Sequence, residues 1–262
     1  MLYNNTLKST YSQKTLNKIL VSFYEEWKTR YLRKVQETSP LQEYLFYTYD
    51  QPTENNAVTC SEAMGYGMCI FPMMSPFDKD AKKHFEALCN YIKHYPSYYN
   101  PNLMAWQQIE TPDHIIINSS DKTSSATDGD MDITYGLLLA HRLWGKTNPA
   151  SNYFNDARLR MNALMMRCVF PQTSILLLGD WVLEENQGFY TGVTRSSDFI
   201  TYTIKNFLKV DIQNRCKWKN VLFRIHSIIN YQMTLQSMLN GLMPDFFIQV
   251  NHHYIAPHIQ ST

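Results

Sequence analysis

Two short runs of the chain hold the side chains most able to do chemistry. The first is Thr59-Cys60-Ser61-Glu62-Ala63-Met64-Gly65-Tyr66-Gly67-Met68, which sets one carboxylate at the start of an apolar, glycine-bearing stretch. Thr59 followed by Glu62 matches a capping box, in which hydroxyl and carboxylate satisfy the free amides of a helix start. Gly65 and Gly67 point beyond capping, since each costs a helix up to about 1 kcal/mol relative to alanine. Something must approach the backbone closely there. The second run, Ser124-Ser125-Ala126-Thr127-Asp128-Gly129-Asp130-Met131-Asp132, leads straight into the apolar stretch from Ile133 to Trp144. Its carboxylates could bind calcium, but the closing Glu of an EF-hand loop is absent. They could also cap a helix, because the positive end of the macrodipole favours an Asp there. One Asp would suffice for that, and Asp128, Asp130 and Asp132 exceed the need.

Helices must position both runs. Leu16, Ile19, Leu20, Phe23, Trp27 and Tyr31 recur at the period of one buried helical face, which predicts a first helix. Tyr44 to Tyr49 reads as a short extended segment closed by a turn at Asp50-Gln51-Pro52, and a second helix should begin near Thr59. Further helices are expected at about 78–93, 130–144, 151–169, 197–208 and 217–237, each bounded by Pro, Gly, Asn or Ser. The long connections 96–128 and 171–195 hold Trp106 and Trp181, and long ordered loops on a helical scaffold commonly carry function. No linker composition divides residues 1–262, so one all-helical domain of successive helix pairs is expected. The stretch from Phe246 to Thr262 shows no helical period.

Composition narrows the function. The chain is 44% hydrophobic and 14% aromatic with 18% charged residues, which excludes disorder. Lys and Arg number 24 against 23 Asp and Glu, a net charge of +1 that gives no general attraction to nucleic acid or anionic lipid. No window approaches the roughly 20 apolar residues of a membrane span, and the first residues show neither the apolar core nor the cleavage site of a secretion signal. Cys60, Cys69, Cys89, Cys168 and Cys216 are odd in number and without a C-x-x-C pair, so neither a disulfide framework nor a structural zinc site is expected. The pair His252-His253 reads as solvated surface, and neither metal nor cofactor is assigned. An aromatic-rich, nearly neutral chain with two carboxylate-bearing helix starts suggests a sugar cleft, because pyranose faces stack on rings while their hydroxyls bond to carboxylates. Trp27 and Trp218 fall on apolar helical faces and read as core, whereas Trp106 and Trp181 lie in the long loops and are the better stacking platforms.

SEAMGYGM (61–68), LMAWQQ (103–108), SSATDGDMDI (124–133), LLLAHRLW (137–144), LGDW (178–181), TRSSDF (194–199) and GLMPDF (241–246) occur in an order that resembles glycoside hydrolase family 8. The form of SEAMGYGM with LMAWQQ is most similar to its bacterial chitosanase and β-glucanase branch. The resemblance implies an (α/α)6 barrel with a cleft at one end, acting on β-1,4-linked glycans with inversion. It implies Glu62 as the general acid and Asp128 beneath the sugar at the cleavage point, distorting it or holding the water. Trp106 and Trp181 become stacking platforms, Arg195 and Asp198 further substrate contacts, and Asp130 and Asp132 structural residues. Chitosan or a β-1,3-1,4-glucan is the expected polymer, ahead of cellulose and xylan, and a cleft lined by Glu62, Asp128, Asp180, Glu184 and Glu185 would suit cationic chitosan. A monomer is expected, and relatives point to the cell exterior although no leader is visible.

Two departures follow from the same resemblance. Thr134 and Gly136 replace an Ala and a small Ser or Ala of the family pattern, so a small void at Gly136 and a buried hydroxyl at Thr134 are expected to weaken the helix locally. The family's general base and an Arg-containing segment lie beyond the GLMPDF region, and this chain ends sixteen residues after Phe246. A truncated domain with exposed apolar faces is one expectation from that, and a glycan-binding remnant without turnover is another. A purely structural helical domain is the third.

Overall fold

The computed structural model describes residues 10–47, 57–145, 152–184, 188 and 190–242. The turn at Asp50-Gln51-Pro52, Glu185, the end of the GLMPDF run and the tail with His252-His253 lie outside them. Helix α1 (Gln13–Tyr31) is capped by the Ser12 hydroxyl, which accepts from the Thr15 amide at 3.2 Å. Strands β1 (Leu32–Lys34) and β2 (Glu43–Leu45) form an antiparallel pair, and β3 (Ala57–Cys60) leads into α2 (Ser61–Met74). Helix α3 (Ala81–His94) follows, and then β4 (Gln107–Glu110) and β5 (Ile116–Asn118) join β3 in a three-stranded antiparallel sheet. Helices α4 (Thr127–Trp144), α5 (Tyr153–Arg167), α6 (Thr201–Val210) and α7 (Arg215–Leu242) complete the described residues. Every expected helix forms, within a few residues of its expected bounds.

Helix α4 packs against α2 on one side and α5 on the other, α2 against α3, and α6 against α7. The core has two parts. One joins α1, α2, α3 and α4 through Tyr24, Met68, Phe71, Phe85, Leu88 and Ile133, and the other joins α4 to α7 through Met131, Met161, Phe207 and Trp218. Trp218 is fully buried, as its apolar helical face predicts, and its indole N–H donates to Asp211 at 2.8 Å. On α1 the buried side differs from the one expected. Tyr24 donates its hydroxyl to Asp78 at 2.6 Å and packs edge-on against Phe71, which turns Val21, Tyr24 and Trp27 inward and leaves Ile19, Leu20 and Phe23 exposed.

Close approach of α2 and α4 explains the glycines. A Cβ on Gly129 would lie 2.7 Å from the Glu62 amide nitrogen, one on Gly65 would lie 2.7 Å from the Asp132 Cβ, and one on Gly136 would lie 2.5 Å from the Met68 carbonyl oxygen. The contacts Glu62–Gly129, Gly65–Asp132 and Met68–Gly136 advance together by about one turn, so the two helices run parallel with their N-termini side by side. There is no void at Gly136. The site is filled by the α2 backbone, and the Thr134 hydroxyl donates to the Asp130 carbonyl at 2.6 Å, so both expectations of local weakness are corrected.

Candidate active site

Glu62 and Asp128 occupy equivalent places, each in the first turn of its helix. The expected Thr59 cap does not form. Thr59 lies in β3, fully buried, and donates its hydroxyl to the Leu45 carbonyl at 2.6 Å; Cys60 precedes the helix without a side-chain cap. The Ser61 amide is satisfied instead by the Trp106 carbonyl at 2.8 Å, and the Trp106 amide donates to the Ser124 carbonyl at 2.8 Å. Backbone hydrogen bonds thus hold Trp106 between the two helix starts while its side chain stays 42% exposed. Freed from capping, the Glu62 side chain is exposed and accepts the Tyr66 hydroxyl on Oε1 at 2.6 Å. That bond and then burial push the Tyr66 phenol well above its ordinary range.

Asp128 is buried to 8% exposure, its Oδ1 accepting from the Gly129 amide at 2.9 Å and lying 3.5 Å from Arg195 Nη2. The same Arg195 nitrogen donates to the Leu178 carbonyl at 3.2 Å and to Asp198 Oδ1 at 3.4 Å. Asp198 is fully buried beside Arg195. It holds Arg195 in place. Burial pushes its carboxyl up to about 7 against the pull of Arg195.

Trp181 reaches the site through a docked loop. The Thr127 hydroxyl donates to the Leu177 carbonyl at 2.5 Å, and the Thr127 amide to the Leu178 carbonyl at 3.2 Å. Asp180 ties the loop down, accepting the Ser97 hydroxyl at 2.5 Å and the Ser125 amide at 2.8 Å. Trp181 follows, half-buried and edge-on to Tyr190 with ring centroids 5.1 Å apart. Because Asp180 is fully buried and Glu184 pairs with Arg167, neither supplies the free acidic lining expected for a cationic polymer.

The remaining carboxylates of the run divide. Asp130 is fully buried, its Oδ1 2.6 Å from Arg160 Nη1 and 3.0 Å from the Met104 amide that donates to it. That is a structural role, as expected. Asp132 packs over Gly65, and burial, then the charges of Asp128 and Glu62, push it up to about 6. Sequence reasoning missed two features of the site. Tyr66 was legible in the i,i+4 spacing from Glu62, whereas Trp27 lining a groove with Glu62 had no local signal. Among the described residues no cluster of His, Cys, Asp and Glu could hold a metal ion.

Residues 2–256 match the model of the family described as "Glycosyl hydrolases family 8". The chain is 32% identical over 237 residues to a beta-glucanase of Niallia circulans, which covers 90% of this chain and 53% of that protein. It is 29% identical over 252 residues to an endoglucanase of Bacillus sp. (strain KSM-330), 94% of this chain and 51% of that protein. Among solved structures, the apo beta-1,3-1,4-glucanase of Paenibacillus sp. X4 superposes with a TM-score of 0.72 at 32% identity, covering 85% of this chain and 53% of that one. The chain spans about half the length of these relatives. Its helix pairs are those of the expected (α/α)6 barrel, and the chain belongs to glycosyl hydrolase family 8.

Proposed function

We propose that the chain carries the acid-bearing part of an inverting endo-glycosidase that cleaves β-1,4 linkages in β-glucan. The observation that carries this reading is the pairing of Glu62 and Asp128 in adjacent first turns of parallel helices, beside an exposed Trp106. Glu62 is the general acid. With Oε1 taken by the Tyr66 hydroxyl, Oε2 is left to hand a proton to the glycosidic oxygen as the bond breaks. Asp128, fixed by the Gly129 amide and Arg195, sits under the sugar at the cleavage point and bonds its hydroxyls or the attacking water. Trp106 and Trp181 stack against sugar faces on either side of that position. Inversion needs a second carboxylate roughly 6.5–9.5 Å from the acid to activate water, and we assign none here.

The similarity to a beta-glucanase and an endoglucanase supports β-glucan as polymer, and the bonding of Asp180 and Glu184 within the fold weakens the charge argument for chitosan. The test is release of reducing ends from β-1,3-1,4-glucan, carboxymethylcellulose, xylan and chitosan by the full chain, with Glu62→Gln and Asp128→Asn as controls. Turnover on β-glucan that Glu62→Gln abolishes, with the circular-dichroism spectrum unchanged, is the expected result. Turnover retained by folded Glu62→Gln removes Glu62 as the acid. Glycan binding without turnover leaves the chain a binding remnant.

A further inference from the structure

Asp180 is fully buried, yet among the described residues no Lys, Arg or His pairs with it. A carboxylate without a counter-ion is costly to bury, and its hydrogen bonds show what it does there. Oδ2 accepts the Ser97 hydroxyl at 2.5 Å, Oδ1 accepts the Ser125 amide at 2.8 Å, and the Asp180 amide donates to the Ser125 hydroxyl at 3.2 Å. Ser97 opens the connection that carries Trp106, Ser125 closes it just before α4, and Asp180 immediately precedes Trp181. One side chain therefore joins both ends of one tryptophan's loop to the residue beside the other tryptophan. We propose that Asp180 is a positioning residue for glycan binding, setting the spacing of Trp106 and Trp181 so that one sugar chain stacks on both. The inference rests on the reading of these two rings as platforms.

The Trp181 loop is anchored to α4 without Asp180. Thr127 bonds the Leu177 and Leu178 carbonyls, and Arg195 Nη2 bonds the Leu178 carbonyl as well. What Asp180 adds is the bond to Ser97, on the far side of the Trp106 loop. That side is itself rigid: the Ser97 amide donates to the Leu103 carbonyl at 2.8 Å, and the Ala105 amide to the Tyr95 carbonyl at 3.0 Å, so the chain at Ser97 lies beside the chain leading into Trp106. At the other end the Trp106 amide is bonded to the Ser124 carbonyl, one residue before Ser125. The joint also needs two acceptor oxygens on one side chain. Ser97 Oγ already accepts the Tyr99 amide at 3.2 Å, so its proton has to go to Asp180 Oδ2, and an asparagine turned toward it would offer only N–H.

Fixed spacing matters only to a ligand that touches both rings, because such a ligand gains from the second contact in proportion to how well it is held in place. The test therefore compares cellobiose, which covers one ring at a time, with cellopentaose, by titrating isotope-labelled indole N–H spectra of the full chain. Ser97→Ala and Asp180→Asn each release the Ser97 end and leave the Ser125 amide bonded, and circular dichroism checks that both variants fold. Each should weaken cellopentaose binding about tenfold and leave cellobiose within about twofold, and the double variant should be no worse than either, since both act through one bond. Unchanged affinity for both sugars in folded variants, whatever happens to Tm, makes Asp180 a purely structural clasp and overturns the proposal while sparing the platforms. An equal loss for both sugars overturns it too, by tracing the damage to one ring's own site. If the parent chain binds neither sugar, the platform reading of Trp106 and Trp181 fails and takes the proposal with it.

Discussion

Gly136→Ala discriminates between a void and a tight helix contact, because the two give opposite signs. A void would be filled by the new methyl, and alanine also gains about 1 kcal/mol over glycine in a helix; both effects stabilise. The contact found here does the reverse. The methyl would stand 2.5 Å from the Met68 carbonyl oxygen and 2.6 Å from the Met68 Cβ, where ordinary contact begins at 3.4 Å. Backbone on α2 cannot rotate away as a side-chain end could, so the helices must part by about 0.9 Å at that turn. Overpacking of this kind costs about 1–3 kcal/mol, and more where backbone is met. Because rigid backbone is met, the cost falls at the upper end of that range, and set against the propensity gain it leaves a net loss of about 2 kcal/mol, or a fall in Tm of about 4–8 °C for a chain of this size. Gly192→Ala is the control, since nothing lies within 4 Å of its added methyl. Thermal melts and urea titrations of the two variants give the answer. A Gly136→Ala protein as stable as its parent, or more so, refutes the tight parallel packing of α2 on α4.

Three further outcomes follow from the site. Tyr66→Phe removes the hydroxyl that orients Glu62, and with a bond to a partly exposed carboxylate worth about 1 kcal/mol it should lower kcat about fivefold, KM and the melting profile holding steady; a change in KM alone would contradict the positioning role. Arg160→Met strands Asp130 as a buried, unpaired carboxylate and should cost about 3–5 kcal/mol in urea titration, whereas a loss under 1 kcal/mol would deny the pair its structural role. Stability should fall between about pH 4 and pH 7. Asp132 and Asp198 are raised to about 6 and about 7, so the folded chain holds protons there that the unfolded chain has released, and the stabilisation present at low pH is lost as pH rises through those values. Each group contributes up to about 1.4 kcal/mol per pH unit inside its window, and Asp198→Asn should flatten the slope measured by melting at each pH. An unchanged slope in that variant would remove Asp198 as a source.

The helices were legible because apolar period and Pro, Gly or Asn boundaries are local properties. The two carboxylate runs were legible for the same reason, each being a helix start with more acid than capping needs. What local pattern could not show was orientation. The period of α1 marked Ile19, Leu20 and Phe23 as buried, but the Tyr24–Asp78 bond from across the fold decides which side faces in. Thr59 and Glu62 had the spacing of a capping box, yet pairing of β3 with β4 takes Thr59 into a strand and hands the capping of Ser61 to Trp106. Asp198 looked equivalent to Arg195 in TRSSDF, and only burial separates the partly exposed guanidinium from the fully buried carboxyl.

The side-by-side starts of α2 and α4 bear on how this cleft withstands change. The positive ends of two helix dipoles converge on the same small volume. A negative charge on Glu62 is met there by the dipoles of peptide groups, which every amino acid provides. Side chains around the cleft can therefore drift without stripping it of that field, so long as Gly129 and Gly136 keep the two backbones together. An alanine scan would undercount the electrostatics at Glu62 and Asp128, because part of the field there resides in atoms that no substitution of a side chain removes.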